Sequence, residues 1–252
     1  MIIKAVEKAI DILDCFSTEK PLLSVQEVSE LTGLTPSTAS RILATLRKKN
    51  CVEKDGLSGR YHLGARVYRW GQMAASQLNL NQAALPIMEE LRDACGEEVA
   101  LYVLQGDARF CVAKVESKFS VAKTSVTGVA LPLHCGAAGK VLLAYLPESL
   151  RKRLLEKPLE KYTPFTITDP ELLERNLAEI RHEGCAYSVS EREVGAYSIV
   201  APVRDALGQV VASLAISGPQ FRLSEEKVEV YKKLVKDAAR AISRNLGYRE
   251  SA

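Results

Sequence analysis

The sequence predicts an α+β protein in three consecutive parts, residues 1–64, 65–80 and 81–252, and three observations carry that reading. Two short helical patterns meet at Gly33 and are followed by a hairpin pattern, which together have the form of a winged helix-turn-helix. The stretches "VALYVLQGDARFCVAKV" and "YSIVAPVRDALGQVVASLAISG" each alternate as two strands, about Gly106-Asp107 and about Ala206–Gly208. Helical patterns lie between and after these hairpins rather than alternating with single strands, which is the arrangement of an α+β domain.

Taken in order, residues 5–17 read as an amphipathic helix through Val6, Ile10, Leu13 and Phe16. Ser24 and Glu27 have the spacing of a capping box and open a second helix that buries Val25, Val28 and Leu31. Gly33 breaks the chain, and Thr35 restarts it as an N-cap with Pro36 at the first helical position. In this third helix Ala39, Ile42, Leu43 and Leu46 form one apolar stripe, which sends Ser37, Arg41, Ala44 and Lys48 to the opposite side. "CVEKDGLSGRYHLG" is then a strand, a turn at Asp55-Gly56 and Gly59, and a return strand with Tyr61 and Leu63 on one face. Between Gly64 and Gly96 the pattern is helical, first through Val67, Trp70 and Met73, then through Leu85, Met88 and Leu91, with Gly96 as the stop. Further helices are expected near 136–146, near 171–182 and from Ser224 to about Leu246.

At 252 residues, 47% hydrophobic and 26% charged, the composition is that of a globular protein. No segment is long and apolar enough for a bilayer span, and the charged residues among the first sixteen argue against a secretory signal. The six cysteines show no C-x-x-C pair, so they read as reduced thiols of a cytoplasmic protein rather than zinc ligands or a disulfide framework. The net charge of +3 is unevenly placed: residues 1–40 carry −3, residues 41–69 carry +6, and the remainder balances. The excess therefore sits directly behind the third helix, where phosphates would be met by a nucleic-acid reader.

This order of elements, with "LPLHCGAAGKVLLA" (131–144) and "GAYSIVAPVRDALGQVVASLAISGP" (195–219), resembles the IclR family of bacterial transcriptional regulators over nearly the whole chain. The resemblance implies a DNA-binding domain at 1–64, a linker helix at 65–80, and a GAF-like effector-binding and oligomerisation domain at 81–252. It also implies double-stranded operator DNA as partner, a homodimer or dimer of dimers, and more often repression than activation.

On that reading the third helix enters the major groove with Thr35 at its capped end. Ser37 and Thr38 meet base edges or phosphate, and Arg41 forks to a guanine. Thr45 and Lys48 lie nearer the backbone, and Arg60 and Tyr61 on the wing reach the flanking groove. The alternative reading of the same stretch is an ordinary solvated helix face, with no nucleic acid.

"GAAGK" is not a phosphate loop, since only two residues separate its glycines and Val141 follows the lysine. It reads as a helix start whose N–H groups suit a carboxylate, which makes a small organic acid the expected effector. By its motifs the resemblance to the family implies an effector pocket at Leu131, Ala137, Ala138, Ser188, Ala196, Ser198, Ala215 and Ser217. The alanines read equally well as core, whereas a buried serine hydroxyl needs a partner. Ser188 stands where many relatives carry an acid. His134 and Cys135 point to opposite faces of an extended segment, and His62 and His182 lie apart from them, so no metal site, cofactor or catalytic pair is expected. Two alternatives stay open: an enzyme domain fused to a DNA tether, and a constitutive DNA-binding protein without effector.

Overall fold

The computed structural model describes residues 3–17, 20–75, 80–123 and 125–249. The chain divides into two compact units, residues 1–78 and 79–252.

The first unit contains α1 (Lys4–Asp14), α2 (Val25–Thr32), α3 (Pro36–Lys48), the strands β1 (Val52–Lys54) and β2 (Tyr61–Leu63), and α4 (Ala65–Ala75). Local chemistry sets the helix starts. Ser24 Oγ accepts the Glu27 N–H at 3.2 Å while the Glu27 carboxylate accepts the Ser24 N–H at 2.7 Å, closing the capping box. α2 ends at Gly33 with φ +67°, a left-handed conformation that glycine adopts without steric penalty. Thr35 then caps α3 through the Thr38 N–H. Replacing Ser24 by alanine is expected to lower the stability of this unit by about 1 kcal/mol, read as an earlier melting transition by circular dichroism.

The core of the first unit is Ile12, Leu23, Val28, Ala39, Leu43, Val52 and Tyr61. It corrects the reading of α1. The line of that helix that meets α3 runs through Lys8 and Ile12, so Ile12 is sealed while Val6 and Ile10 turn outward, 54% and 51% exposed. Leu31 is likewise exposed, because α2 packs through Val28.

The second unit is a six-stranded antiparallel sheet with helices on both faces. Its elements are α5 (Leu80–Cys95), β3 (Glu98–Gln105), β4 (Ala108–Val115), β5 (Ala130–Leu131), α6 (Ala137–Ala144), α7 (Glu148–Leu155), α8 (Pro170–Glu183), β6 (Ala186–Val189), β7 (Ala196–Arg204), β8 (Val210–Pro219) and α9 (Glu225–Asn245). The strand order is β5-β4-β3-β8-β7-β6. Alternation along the strands divides the core in two. Val99, Leu101, Ile199, Leu214 and Ile216 face α5 and α9, whereas Ala100, Tyr102, Val200 and Ala215 face α6, α7 and α8.

The long hairpins, the last helix and the stop at Gly96 stand where the sequence puts them, the stop closed by the Gly96 N–H on the Arg92 carbonyl at 2.7 Å. α5 buries Ala84, Met88 and Leu91, and Leu85 is exposed, so its apolar stripe begins one residue earlier than the pattern suggests. The short elements α7 and β5 carry no sequence signal of their own. The side chain of Met73 and the last four residues before α5 lie outside the described residues.

Candidate functional site

On the first unit, α3 presents Ser37, Arg41, Thr45 and Lys48 to solvent, with Thr38 half-buried beside them. The hydroxyls are tied locally: Thr35 Oγ1 lies 3.2 Å from Ser37 Oγ and 2.9 Å from Thr38 Oγ1, and Thr45 Oγ1 donates to the Arg41 carbonyl at 3.0 Å. The Arg41 guanidinium has no hydrogen bond or ion pair among the described residues. Lys4 and Lys8 of α1 border the same surface groove as Thr38, Arg41 and Thr45. Sequence reasoning missed both lysines because the net charge of residues 1–40 is negative, and only folding brings α1 alongside α3.

The wing differs from expectation at two positions. Tyr61 is buried in the core, and its backbone pairs with Leu23 through bonds of 2.7 and 2.9 Å, so its ring holds the wing to the helices rather than reaching a groove. Arg60 bends back, donating to Glu27 at 3.2 Å and to the Leu22 carbonyl at 3.2 Å. Glu27 thereby joins the α2 cap to the wing, and both contacts hold its carboxyl below the usual carboxylate range, the Ser24 bonds most.

In the second unit a cavity of about 140 Å³ lies between the start of α6, the sheet and the segment leading into β5. Of the eight residues placed there by motif, Leu131, Ala137, Ala138, Ser188, Ala196, Ser198 and Ser217 line it. Ala215 does not. It stands two residues from Ser217 on the same strand face, beneath α6, fully buried among Ala100, Val200 and Ala186. The helix start is also not vacant. Glu191 accepts the Gly136 N–H at 2.9 Å and the Lys140 ammonium at 2.5 Å, and Ser188 Oγ accepts the Ala137 N–H at 3.0 Å. An expected ligand carboxylate is thus replaced at the helix end by the protein's own side chains.

The cations that line the cavity are instead Arg109, Lys123 and Arg192, which the motif did not indicate, and of these Arg192 is paired with Glu193 at 3.2 Å. Arg109, 4% exposed, fixes Nη1 on the carbonyls of Pro132 and Cys135, while Nε and Nη2 have no partner among the described residues. Burial lowers its pKa to about 10, still cationic at neutral pH, and burial also lowers that of Lys123. The segment that carries Lys123 is tied by two neighbouring glutamates, Glu97 just before β3 and Glu98 at its start. Glu97 binds Arg222 at 2.8 and 2.7 Å, Arg222 in turn holds the Val121 carbonyl, and Glu98 accepts the Ser125 N–H at 2.8 Å and hydroxyl at 2.6 Å.

The comparisons with known proteins agree with this two-part organisation. A family model described as the IclR helix-turn-helix domain matches residues 5–56, and one described as bacterial transcriptional regulator IclR C-terminal matches residues 72–244. The chain belongs to the IclR family of bacterial transcriptional regulators. It is 32% identical to the HTH-type transcriptional regulator BhcR of Paracoccus denitrificans, over 99% of this chain and 90% of that one. It is 33% identical to the HTH-type transcriptional repressor AllR of Escherichia coli, over 97% of this chain and 90% of the relative. Among solved structures it is similar, at 26% identity and a TM-score of 0.62, to an IclR homolog from Microbacterium hydrocarbonoxydans complexed with 4-hydroxybenzoate, covering 96% of this chain and 98% of that one. The first two are named as regulators of transcription, and the enzyme alternative is set aside on that ground.

The His134–Cys135 pair is occupied structurally. His134 Nε2 lies 2.9 Å from the Glu160 carbonyl, and the Cys135 thiol donates to the Glu191 carbonyl at 3.2 Å. Burial pushes the Cys135 thiol up to about 11, so it is protonated at neutral pH and is a poor nucleophile. In the folded protein at pH 8, iodoacetamide is expected to leave Cys135 unmodified over a time that fully labels it in denaturant, as read by peptide mass spectrometry. Among the described residues no three His, Cys, Asp or Glu side chains are grouped to hold a metal ion, and no helix is long and apolar enough to cross a membrane.

Proposed function

We propose that the chain represses transcription from an operator and that a small organic acid, bound in the cavity of the second unit, controls its hold on DNA. The observation that carries the effector half is the pair Arg109 and Lys123, cations that face the cavity without a carboxylate partner among the described residues. A relative complexed with an acid, 4-hydroxybenzoate, and another named as a repressor support the same reading.

In this reading residues 1–64 bind DNA, 65–80 link, and 81–252 bind effector and oligomerise. Two protomers present their α3 helices to the half-sites of a pseudo-palindrome, with the linker helices pairing them. Ser37, Thr38 and Arg41 read base edges, while Thr45, Lys48, Lys4 and Lys8 hold phosphates. The acid shifts operator affinity by its differential affinity for the two protomer arrangements. Leu131, Ala137, Ala138, Ser188, Ala196, Ser198 and Ser217 line its site.

Fluorescence anisotropy of the full chain on its own upstream intergenic DNA, across a salt series and with a panel of small carboxylates, tests this. Salt-sensitive binding tighter than to random DNA, weakened by at least one acid, is expected. Binding that no acid changes would favour a constitutive DNA-binding protein. Binding no tighter than to random DNA would require selection of the operator from a random pool.

A further inference from the structure

The two unpaired cations suit an acid, and the sheet beneath the cavity restricts its kind. Ser188, Ser198 and Ser217 stand opposite one another on β6, β7 and β8, and Glu98 continues the row on β3. With strands about 4.8 Å apart, three hydroxyls and a carboxylate repeat at that interval across four strands. Two residues along, on the same face, the next row is Ala186, Val200, Ala215 and Ala100, wholly apolar and sealed in the core. This apolar row separates the serines from the next polar pair on the face, Ser213, whose hydroxyl donates to the Ala138 carbonyl, and Tyr102, whose hydroxyl lies 2.7 Å from Ser125 Oγ.

The hydrogen-bond inventory leaves this row under-used. Ser198 and Ser217 bond to each other at 2.9 Å, which employs one of their two protons. Ser188 accepts the Ala137 N–H, and its own proton has no acceptor among the described residues. Two hydroxyl donors and several lone pairs therefore remain for a ligand. The cation meets this row at the start of α6: Arg109 Nη2 lies 3.6 Å from where a Cβ on Gly136 would stand, and the next residue is the one bonded to Ser188.

Charge and size narrow the ligand further. Glu191 is paired with Lys140 and Glu193 with Arg192, which leaves Arg109 and Lys123 against Glu98, an excess of one positive charge. One carboxylate balances the site, and a second would leave it negative. A cavity near 140 Å³ is close to the roughly 150 Å³ that accommodates benzene, so a ligand of about six to nine non-hydrogen atoms fits.

Building on the effector reading above, we propose that the cavity takes a short polyhydroxy monocarboxylic acid of three or four carbons. Its carboxylate lies against Arg109 and Lys123, and its hydroxyls lie along Ser188, Ser198 and Ser217. Isothermal titration of the full chain with D-glycerate, D-erythronate, butanoate, succinate and benzoate tests this, with the operator assay run in parallel. At least one hydroxy acid is expected to bind about tenfold or more tighter than the other three acids, because a site built for hydroxyls leaves polar groups unpaired around an analogue without them. The double variant Ser198→Ala and Ser217→Ala, checked for an unchanged melting temperature without ligand, is expected to lose most of that preference. If butanoate, succinate or benzoate binds as tightly as both hydroxy acids, the proposal falls while the effector reading stands. If none of the five binds or moves operator affinity, both fall. The wild-type ranking decides even where the variant proves unstable, and a variant that stays folded and keeps the full preference also overturns the proposal.

Discussion

Glu191→Gln is expected to lower the melting temperature of the second unit by about 10 °C, the largest stability effect of any single substitution considered. Glu191 and Lys140 form an ion pair at 2.5 Å with side chains only 10% and 1% exposed, and Glu191 also accepts the Gly136 N–H at the start of α6. Removing one member of a buried pair leaves the other charge without compensation, which costs about 3–5 kcal/mol. For a unit of this size each kcal/mol corresponds to roughly 2–4 °C. Scanning calorimetry of the full chain reads the shift. Pairing Glu191→Gln with Lys140→Met is expected to recover most of the loss, because with both side chains uncharged no stranded charge is left in the core. A single variant that melts within about 2 °C of the wild type would show that water or relaxation already screens the pair.

Arg41→Ala is expected to weaken operator binding by about 5- to 150-fold, the range set by roughly 1–3 kcal/mol for a bidentate guanine contact. The guanidinium is exposed on α3 and has no partner among the described residues that would hold it back. The loss should appear mainly on the operator and much less on random DNA, because a base contact carries discrimination whereas a phosphate contact does not. Lys8→Ala is the contrasting variant: anisotropy should show a similar, modest weakening on both DNAs and a shallower salt dependence. If Arg41→Ala weakens both DNAs equally, Arg41 is a phosphate contact and the base reading passes to Ser37 and Thr38.

What the sequence makes legible is what is decided within a few residues. Ser24, Thr35 and Ser224 start helices because each side-chain oxygen caps an N–H three residues on, and Gly33 ends one by its positive φ. The hairpins follow from short turns between alternating runs. The misreadings arise where a residue's fate depends on distant chain. Tyr61 has the position of a wing contact, but pairing with Leu23 carries it into the core. Ala215 shares strand parity with Ser217, yet lies one row too far under α6. Arg109, Lys123 and Glu191 meet around one cavity from three separate segments, and no spacing rule connects them. Seven of the eight motif positions nevertheless line that cavity, because the motif marks where backbone and small side chains converge.

The contrast between adjacent rows of the sheet also bears on how such a protein diversifies. The positions facing the cavity, 188, 198 and 217, are separate from the row of alanine and valine that packs under α6. On the effector reading proposed above, a lineage could therefore exchange one ligand for another through substitutions at those few positions while the packing beneath them stays intact. New specificity would then arise without a compensating stabilising change, and neutral drift in the packing row would leave ligand preference untouched.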